Sequence, residues 1–321
     1  MVKVGIIGGA GYTGGELIRI LLNHPHAEIA FIHSKSNAGN LISDVHTDLL
    51  GWTELKFSSA IRQDIDVLVL CVGHGDAVKF LAENPINKGI KIIDLSQDFR
   101  IAKSGNEFVY GLPELQREVI KNSTYIANPG CFATAIQLGL LPLAGKSLLH
   151  DDVHISAITG STGAGQSLSE TSHFSWRNNN ISIYKPLKHQ HLKEIRQSLL
   201  SLQQSFNSSI QFIPYRGDFT RGIFATLYLK SNLSLEEAKE IYQTYYQSHP
   251  FTHVSTANPS LKQVVNTNNA IVYLEKQDDT LLIVSMIDNL LKGASGQAVQ
   301  NLNLLFDLPE TAGLQLKGSA F

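Results

Sequence analysis

The chain has 321 residues, of which 43% are hydrophobic and 17% charged, enough for about two domains with buried cores. The formal net charge is −2, so no basic surface indicates binding to nucleic acid or to an anionic membrane. No apolar run approaches the roughly 20 residues of a membrane span, and no signal-peptide pattern opens the chain. With only two cysteines, we expect a protein of the reducing cytoplasm without a disulfide framework.

The first pattern is an apolar strand, residues 2–7, followed by a glycine-rich turn and a helix predicted for residues 16–22. Glycines in such a turn let the backbone approach a pyrophosphate, whose charge is stabilised by the helix N-terminus. Strand, turn and helix stand in the order that a Rossmann-type dinucleotide site requires. The predicted cofactor-binding residues of this turn are Gly8, Gly11, Tyr12, Thr13 and Gly14.

A second strand is predicted for residues 28–32, about 20 residues after the glycines. An NAD-specific fold usually carries an acidic residue here for the ribose hydroxyl, whereas this chain has Ser34, Lys35 and Ser36. A lysine flanked by two hydroxyls suits a 2′-phosphate, so the sequence favours NADP(H) as cofactor. The alternative is a solvated surface lysine.

Two further strands, residues 66–72 and 91–95, are predicted to continue a parallel sheet, with a crossover helix at residues 75–84 between them. The polar segment at residues 94–100 follows the second of these strands. Ligands of open α/β sheets bind at the carboxyl ends of the strands, so we expect this segment to line an active-site cleft. The alternative is a capped surface turn.

Cys131 stands at a predicted helix start. The apolar run of residues 125–127 is stopped by Pro129 and Gly130, and residues 132–140 then show a helical pattern. A thiol in this position faces the free backbone N–H groups and the positive end of the helix dipole, which lower its pKa. The position favours a nucleophile, and the alternative is a small buried hydrophobic residue.

After residue 150 the pattern changes. A strand at residues 153–159 leads into a small-residue loop, residues 160–165, which is able to bring backbone N–H groups to an anion. A polar, irregular stretch follows at residues 167–180. His189, His191 and Glu194 then cluster at the start of a helix that ends near residue 206. No further histidine or cysteine stands at metal-site spacing, so we predict acid–base chemistry and no metal.

The remaining chain is rich in predicted strands, at residues 210–213, 222–229, 270–277 and 280–287, the last two joined as a hairpin by Asp278 and Asp279. Ser234 and Glu237 form a capping box for a helix that reaches about residue 246, and a final helix is predicted for residues 293–306. The resulting fold class is α/β: a Rossmann-type NADP-binding domain and an α+β domain with a mixed, largely antiparallel sheet. We expect the domains at residues 1–150 and 151–292.

Several segments together resemble the N-acetyl-γ-glutamyl-phosphate reductases of arginine biosynthesis, which share their fold with aspartate-β-semialdehyde dehydrogenases. The resemblance runs from residue 2 to about residue 306, and the NPGC and DNLLKGA segments are its most specific parts. It is carried by GGAGYTGGEL (8–17), DLSQDFR (94–100), YGLPE (110–114), NPGC (128–131), GAG (163–165), HQH (189–191), RG (221–222) and DNLLKGASGQ (288–297).

The resemblance implies that Cys131 is the nucleophile, attacking an acyl phosphate, releasing inorganic phosphate and forming a thioester that NADPH reduces. It implies that the C-terminal helix, about residues 293–321, returns to the nucleotide domain, and that the protein is a homodimer or homotetramer. His191 or His189 is the implied acid–base residue, and His191 is favoured because Glu194 lies three residues on. Further implied contacts are Gly163 and Asn289 for the cofactor, and Arg100, Asn128, Ser161, Glu194 and Arg221 for the substrate.

The sequence departs from the family pattern in two places. Family members often read His-Arg-His-Thr-Pro-Glu-Ile where residues 189–195 read HQHLKEI, which leaves one substrate contact open. An extra Arg-Gly at Arg216 and Gly217 precedes Arg221, so either arginine is a candidate for the substrate carboxylate. Two alternatives to the implied function are a reductase of a related acyl phosphate (N-succinyl-glutamyl, aminoadipyl or aspartyl) and a non-catalytic NADP-sensing protein.

Overall fold

The computed structural model describes residues 1–319, which form two compact units. The first unit comprises Met1–Pro129 and Ala294–Gln315, and the second comprises Gly130–Gly293 with residues 316–319. The predicted domain boundary at residue 150 therefore differs from the observed division, which falls between Pro129 and Gly130. The reason is the helix that follows Gly130, since its apolar side chains belong to the core of the second unit.

The first unit is built on a six-stranded parallel sheet with the order β2-β1-β3-β4-β6-β5. Its strands are β1 (Val2–Ile7), β2 (Ala27–His33), β3 (Val67–Leu70), β4 (Lys91–Asp94), β5 (Val109–Tyr110) and β6 (Tyr125–Ala127). Its helices are α1 (Tyr12–Leu21), α2 (Asp76–Glu83), α3 (Pro113–Lys121) and, from the end of the chain, α8 (Gly296–Leu305), with short 3-10 turns at Ile42–Asp44 and Thr47–Leu49. Strand β3 is apolar and buried at every residue, as a central parallel strand requires.

Helix α8 is buried on all sides although it carries several amide side chains. Buried amides need hydrogen-bond partners, and here these partners lie elsewhere in the first unit. Asn301 Nδ2 donates to the carbonyl oxygen of Gly111 at 2.9 Å and to Asn128 Oδ1 at 3.1 Å. Asn303 Nδ2 donates to the carbonyl oxygens of Glu310 and Ala312. These bonds hold α8 within the first unit. The helix ends at Leu305, and residues 306–319 are not helical, so it is shorter than the C-terminal helix expected for about residues 293–321.

The second unit contains a seven-stranded mixed sheet with the order β11-β12-β13-β10-β7-β9-β8. Four of its strand pairs are antiparallel, whereas β11–β12 and β7–β9 are parallel. The strands are β7 (Val153–Thr159), β8 (Ser182–Ile183), β9 (Ile210–Arg216), β10 (Ile223–Lys230), β11 (Thr252–Ser255), β12 (Ala270–Gln277) and β13 (Thr280–Ile287). The helices are α4 (Cys131–Gly145), α5 (Phe174–Arg177), α6 (His191–Leu202) and α7 (Leu235–Tyr246), with 3-10 turns at Ser161–Ala164, Glu170–Ser172 and Leu261–Gln263 and a π-helical turn at Leu291–Ser295.

Helix α4 is the centre of the second unit's core, and all of its residues from Phe132 to Ala144 are buried. Pro142 lies inside it and lacks the N–H that would bond to the carbonyl of Leu138. The Tyr246 hydroxyl donates to that carbonyl instead, and the Tyr242 hydroxyl donates to the carbonyl of Gly139. The two tyrosines of α7 thus satisfy the helix at its proline and hold α7 against it.

The structure confirms the predicted fold class, an α/β chain with a parallel sheet and a separate mixed sheet. It also confirms the capping box, since Ser234 Oγ accepts from the Glu237 N–H and the Glu237 carboxylate accepts from the Ser234 N–H. The hairpin joining β12 and β13 forms as predicted, and Asp278 in its turn has φ of +51°. The short elements α3, α5, β5, β8 and β11 were not predicted. No helix among residues 1–319 is both long enough and apolar enough to cross a membrane.

Candidate active site

Cys131 is the first residue of α4, as the sequence predicts. Strand β6 ends at Ala127, and Gly130 is the N-cap residue, with extended backbone at φ −73° and ψ 149°. Gly130 has no side chain to cap the helix, and the Cys131 thiol, which is partly exposed, stands at the positive end of the helix dipole.

Glu194 joins this helix start to the histidine pair. Its Oε2 accepts a hydrogen bond from the Gly130 N–H at 2.9 Å, and its Oε1 lies 3.9 Å from Nε2 of His191. The side chain is buried, and its position one turn into α6 brings it beside His191, the first residue of that helix. This geometry favours a positioning function for Glu194 over the predicted direct substrate contact.

The two histidines lie against each other, with ring centroids 4.6 Å apart and nearly perpendicular planes. His189 also packs edge-on against Phe132, the residue after Cys131, at 5.5 Å. The backbone N–H of His191 donates to Nδ1 of His189, which leaves the His189 proton on Nε2. Burial, and then the neighbouring charges of His191 and Lys185, lower the pKa of His189 to about 3. His189 is therefore a neutral ring at physiological pH.

Tyr184 is a residue of this cluster that the sequence reasoning missed. Its ring lies 5.8 Å from that of His189 and 6.4 Å from that of Phe132, and the Arg216 guanidinium lies over it at 4.8 Å. Burial raises the pKa of the Tyr184 hydroxyl far above its usual value, and a thiolate at Cys131 raises it further. The only sequence signal that could have identified Tyr184 as a site residue is its place at the end of a polar stretch, five residues ahead of His189.

Arg100 and Asn128 were predicted to bind substrate, and both are buried in the first unit. Arg100 donates from Nε to the carbonyl oxygen of Asn128 at 2.8 Å and from Nη2 to that of Leu95 at 2.7 Å. The Asn128 side chain donates to the carbonyl oxygen of Ala294 at 3.0 Å and accepts from Asn301. These bonds hold the backbone that leads into Pro129.

The loop at residues 160–165 is fixed by the segment before β10. The N–H of Ser161 donates to the carbonyl oxygen of Phe219 at 2.8 Å, and the N–H of Gly163 donates to that of Gly160. Asn289 Oδ1 accepts from the N–H of Gly222 at 2.7 Å, and its Nδ2 donates to Thr162 Oγ1 at 3.0 Å. Gly163 is exposed, whereas Asn289 is buried and engaged at both ends of its amide.

Arg221 forms a bidentate pair with Asp288, with Nε···Oδ2 at 3.0 Å and Nη2···Oδ1 at 3.1 Å. Asp288 is completely buried and also accepts the backbone N–H groups of Asn266, Leu290 and Leu291. The charge of Arg221 is thus matched within the second unit. In the sequence, Asp288 is visible only as the first residue of the DNLLKGASGQ segment, which predicts no function for its side chain.

The glycine-rich turn of the first unit is shaped for a dinucleotide. Gly8 has φ of +80°, and a Cβ atom there would lie 2.4 Å from the carbonyl oxygen of Cys71. A Cβ atom on Gly14 would lie 2.7 Å from the Gly8 oxygen, whereas a Cβ on Gly11 would meet nothing closer than 3.8 Å. Gly11 is the N-cap of α1 and provides no capping side chain. The turn therefore presents the N–H groups of the first helical turn, including those of Tyr12 and Thr13, to open space.

The residues after β2 lie beside this turn, because the N–H groups of Gly8 and Gly9 both donate to the carbonyl oxygen of His33. Asn37 Nδ2 donates to the hydroxyl oxygens of Ser34 at 3.3 Å and Ser36 at 3.1 Å, while Lys35 is exposed. The sequence places no carboxylate from His33 to Leu41. The residues of this unit thus fit NADP(H), with Lys35 available to a 2′-phosphate.

The polar segment at residues 94–100 is a turn that caps a helix, and its lining of an active-site cleft stays a prediction. Asp98 accepts the backbone N–H groups of Gly75, Ala77 and Val78 and so caps α2. Asp94 is buried and accepts from the N–H and the hydroxyl of Ser96. Within residues 1–319, no group of three or more His, Cys, Asp or Glu side chains is arranged to hold a metal ion.

Two family models match the chain. The semialdehyde dehydrogenase NAD binding domain matches residues 3–123, and the semialdehyde dehydrogenase dimerisation domain matches residues 131–289. The break between the two matches falls at the same place as the division between the two units. The chain therefore carries a nucleotide-binding domain and a dimerisation domain.

Relatives that match over the full length identify the family more narrowly than the two domain models do. The chain is 62% identical to the N-acetyl-gamma-glutamyl-phosphate reductase of Parabacteroides distasonis over 322 residues, and 57% identical to that of Flavobacterium johnsoniae over 325 residues, with complete coverage of both chains in each case.

Solved structures show the same fold at low identity. Aspartate semialdehyde dehydrogenase II from Vibrio cholerae complexed with ASA superposes with a TM-score of 0.74 at 14% identity, covering 96% of this chain and 98% of that one. The Candida albicans aspartate semialdehyde dehydrogenase with NADP gives a TM-score of 0.73 at 15% identity, covering 95% and 99%. From its full-length relatives, the chain belongs to the family of the N-acetyl-gamma-glutamyl-phosphate reductases.

Proposed function

We propose that the chain reduces N-acetyl-γ-glutamyl phosphate to N-acetylglutamate 5-semialdehyde with NADPH, releasing inorganic phosphate, by way of a thioester on Cys131. The observation that carries the proposal is the setting of Cys131. It is the partly exposed first residue of α4, Glu194 binds the N–H of the residue before it, and both histidines pack on Phe132 after it. The shared name of the full-length relatives supports the N-acetyl substrate over N-succinyl-glutamyl, aminoadipyl or aspartyl phosphates and over a non-catalytic NADP sensor.

In the first step the Cys131 thiolate attacks the acyl carbon. The C–S bond forms, the C–O bond to phosphorus breaks, and phosphate leaves with the electron pair of that bond. Negative charge on the acyl oxygen is stabilised by the backbone N–H groups at the start of α4. Glu194 keeps these groups in place because its carboxylate holds the N–H of Gly130.

NADPH, when bound, supplies the hydride that reduces the thioester. The residues that would hold it are the turn around Gly8, Gly11, Tyr12, Thr13 and Gly14, with Ser34, Lys35 and Ser36 at the 2′-phosphate. The basis for this proposal is the open N-terminus of α1 and the absence of a carboxylate after β2. Gly163 and Asn289 lie in the second unit, and Asn289 is engaged by Gly222 and Thr162, so we assign Asn289 a structural function.

We assign the acid–base step to His191. Nδ1 of His189 accepts from a backbone N–H, and its lowered pKa keeps that ring neutral. His191 instead has the Glu194 carboxylate 3.9 Å from its Nε2, a partner for this ring when it carries the proton. His191 donates a proton to the hemithioacetal oxygen and takes it back as the C–S bond breaks, which releases the semialdehyde and restores the thiolate.

The reaction is tested in reverse, as NADP reduction that requires both inorganic phosphate and a semialdehyde. We expect N-acetylglutamate 5-semialdehyde to be the best substrate in a panel that includes the N-succinyl and aspartate semialdehydes. A higher kcat/KM for another member of the panel would replace the proposed substrate. Binding of NADP without turnover of any member would indicate the non-catalytic alternative.

We further propose a homodimer or homotetramer in the cytoplasm. The match of residues 131–289 to the semialdehyde dehydrogenase dimerisation domain supports pairing through the second unit. Two free cysteines fit a reducing compartment. Sedimentation equilibrium is expected to give two or four times the 35.2 kDa chain mass, and a monomer would contradict the assembly.

A further inference from the structure

The two arginines that compete for a substrate carboxylate have opposite surroundings. Arg221 is already bound on two nitrogens by the buried carboxylate of Asp288. Asp288 also accepts hydrogen bonds from three backbone N–H groups, so its carboxylate is fixed within the second unit beside Arg221. The Nε edge of Arg221 is therefore occupied by Asp288, and a substrate carboxylate would have to share a guanidinium whose charge is already paired.

Arg216, the last residue of β9, lies in a different setting. Its guanidinium stacks over the ring of Tyr184 at 4.8 Å, and among residues 1–319 no carboxylate oxygen lies within ion-pair distance of it. Its Nε is buried and has no hydrogen-bond partner in this part of the chain. A buried donor of a charged group is costly when left without a partner, which indicates an anionic ligand.

The charged side chains around Arg216 also favour an anionic ligand. Arg177 donates from Nη1 to the carbonyl oxygen of Arg216 at 2.7 Å, so a second guanidinium lies close to the first. Arg177 directs its other bonds to the backbone carbonyl oxygens of Thr171 and Asn180 and to the hydroxyl of Ser182. The carboxylate that faces this pair, Asp218, is exposed and accepts from the Asn179 N–H. Two adjacent cations therefore share little negative charge.

Tyr184 connects this cation to the reacting group. The same ring that carries Arg216 on one side packs on His189 and on Phe132, the residue after Cys131. We infer that Arg216 binds the carboxylate of the acyl-phosphate substrate and so orients its acyl carbon at Cys131. The inference rests on the proposed function for the reaction. The planar fork of Arg216 matches a carboxylate, and its contacts with Tyr184, which include a side-chain hydrogen bond, hold the guanidinium beside the reacting group.

The test measures how ligands protect Cys131 from iodoacetamide, followed by mass spectrometry of the Cys131 peptide, and needs neither cofactor nor turnover. The protecting ligands are N-acetyl-L-glutamate, glutarate and inorganic phosphate. The variants are Arg216→Met, Arg216→Lys and the control Arg196→Met, which removes a guanidinium stacked on Phe206 in the same unit. Circular dichroism and thermal unfolding establish that each variant is folded.

In Arg216→Met we expect the half-protecting concentration of N-acetyl-L-glutamate to rise about 10- to 150-fold, the loss of a charge-assisted contact, while protection by phosphate stays unchanged. Arg216→Lys should lie in between, and Arg196→Met should match wild type. In turnover, the KM for the semialdehyde should rise far more than the KM for phosphate.

Loss of phosphate protection alone would assign Arg216 to the phosphoryl group and overturn the inference. So would unchanged protection in folded Arg216→Met, or wild-type protein that neither dicarboxylate protects. Arg216-dependent protection by glutarate but not by N-acetyl-L-glutamate would uphold the carboxylate site and instead remove the N-acetyl substrate of the proposed function.

Discussion

Cys71 and Cys131 are both free thiols near the start of a helix, one in each unit, and their surroundings differ in burial and charge. Cys71 follows β3, and its side chain bonds to Thr13 in the first turn of α1. Burial nevertheless raises the pKa of the Cys71 thiol to about 12. Cys131 begins its own helix, remains partly exposed, and is followed by a residue that two histidines contact.

The comparison shows that proximity to a helix N-terminus does not make a thiol a nucleophile. The helix dipole contributes about 0.3–1 kcal/mol at an exposed position, which a buried site easily outweighs by disfavouring the charged form. Cys131 combines the dipole with access to solvent and with a buried carboxylate, Glu194, that orders the backbone before it. Reactivity is therefore set by the whole neighbourhood.

The largest expected effect is the loss of activity in Cys131→Ser. Serine lacks the nucleophilicity of a thiolate at neutral pH, so phosphate-dependent NADP reduction should fall by at least about 10⁴-fold while the variant unfolds at the wild-type temperature. Cys71→Ala is the matched control and should keep its turnover number. In wild-type protein, iodoacetamide should modify Cys131 first and abolish activity in step. Appreciable activity in Cys131→Ser, or a loss of activity that parallels alkylation of Cys71, would show that Cys131 is not the nucleophile.

Substitutions of the two histidines beside Cys131 test which ring carries the proton. His191→Asn should lower kcat by about 10²–10⁴ with a modest change in KM, because the proton carrier is removed. His189→Asn should have a smaller effect, since the amide oxygen of asparagine can replace Nδ1 as acceptor for the His191 N–H. Initial rates of both variants across pH 6–9 provide the measurement. A large loss in His189→Asn, with His191→Asn near wild type, would exchange the two functions.

Local patterns were enough to predict most of the fold. Strand β6 and the turn into α4 follow from three apolar residues and then Pro129 and Gly130, and the hairpin between β12 and β13 follows from its aspartates. Such signals lie within a few residues of one another, so the sequence displays them directly.

The parts that could not be predicted depend on partners far apart in the chain. Arg221 and Asp288 are 67 residues apart, and only the folded chain shows that, of the two candidate arginines, Arg221 is paired while Arg216 has no carboxylate partner among residues 1–319. The assignment of α4 to the second unit also depends on distant residues, because side chains of β10 and β13 cover the helix. Tyr184 joins the site through its contacts with Phe132 and His189, not through any motif.

The first unit, which contains Cys71, should recognise its nucleotide mainly through backbone groups and one exposed side chain, Lys35. Lys35→Ala should weaken NADPH binding by about 10- to 150-fold, because a charge-assisted contact to the 2′-phosphate is lost. Binding of NADH, which lacks that phosphate, should change little. Dissociation constants from nucleotide fluorescence titrations measure both, with Lys56→Ala as a lysine control on the same unit. Equal weakening of both nucleotides would remove Lys35 from the phosphate site.

The smallest expected effect comes from Cys71 itself and appears in stability at alkaline pH. The folded pKa of Cys71 is about 12, whereas the ordinary value is 9.0, so between these values the folded chain binds more protons than the unfolded chain. The free energy of unfolding must then fall as pH rises above 9, by at most about 1.4 kcal/mol per pH unit for this single group. Cys71→Ala cannot titrate and should show a shallower decline. Denaturant midpoints for wild type and variant from pH 8 to 11 give the difference, in which contributions from lysines and tyrosines cancel. Identical slopes would mean that the Cys71 thiolate is tolerated in the folded protein, and burial would then not be what separates the two thiols.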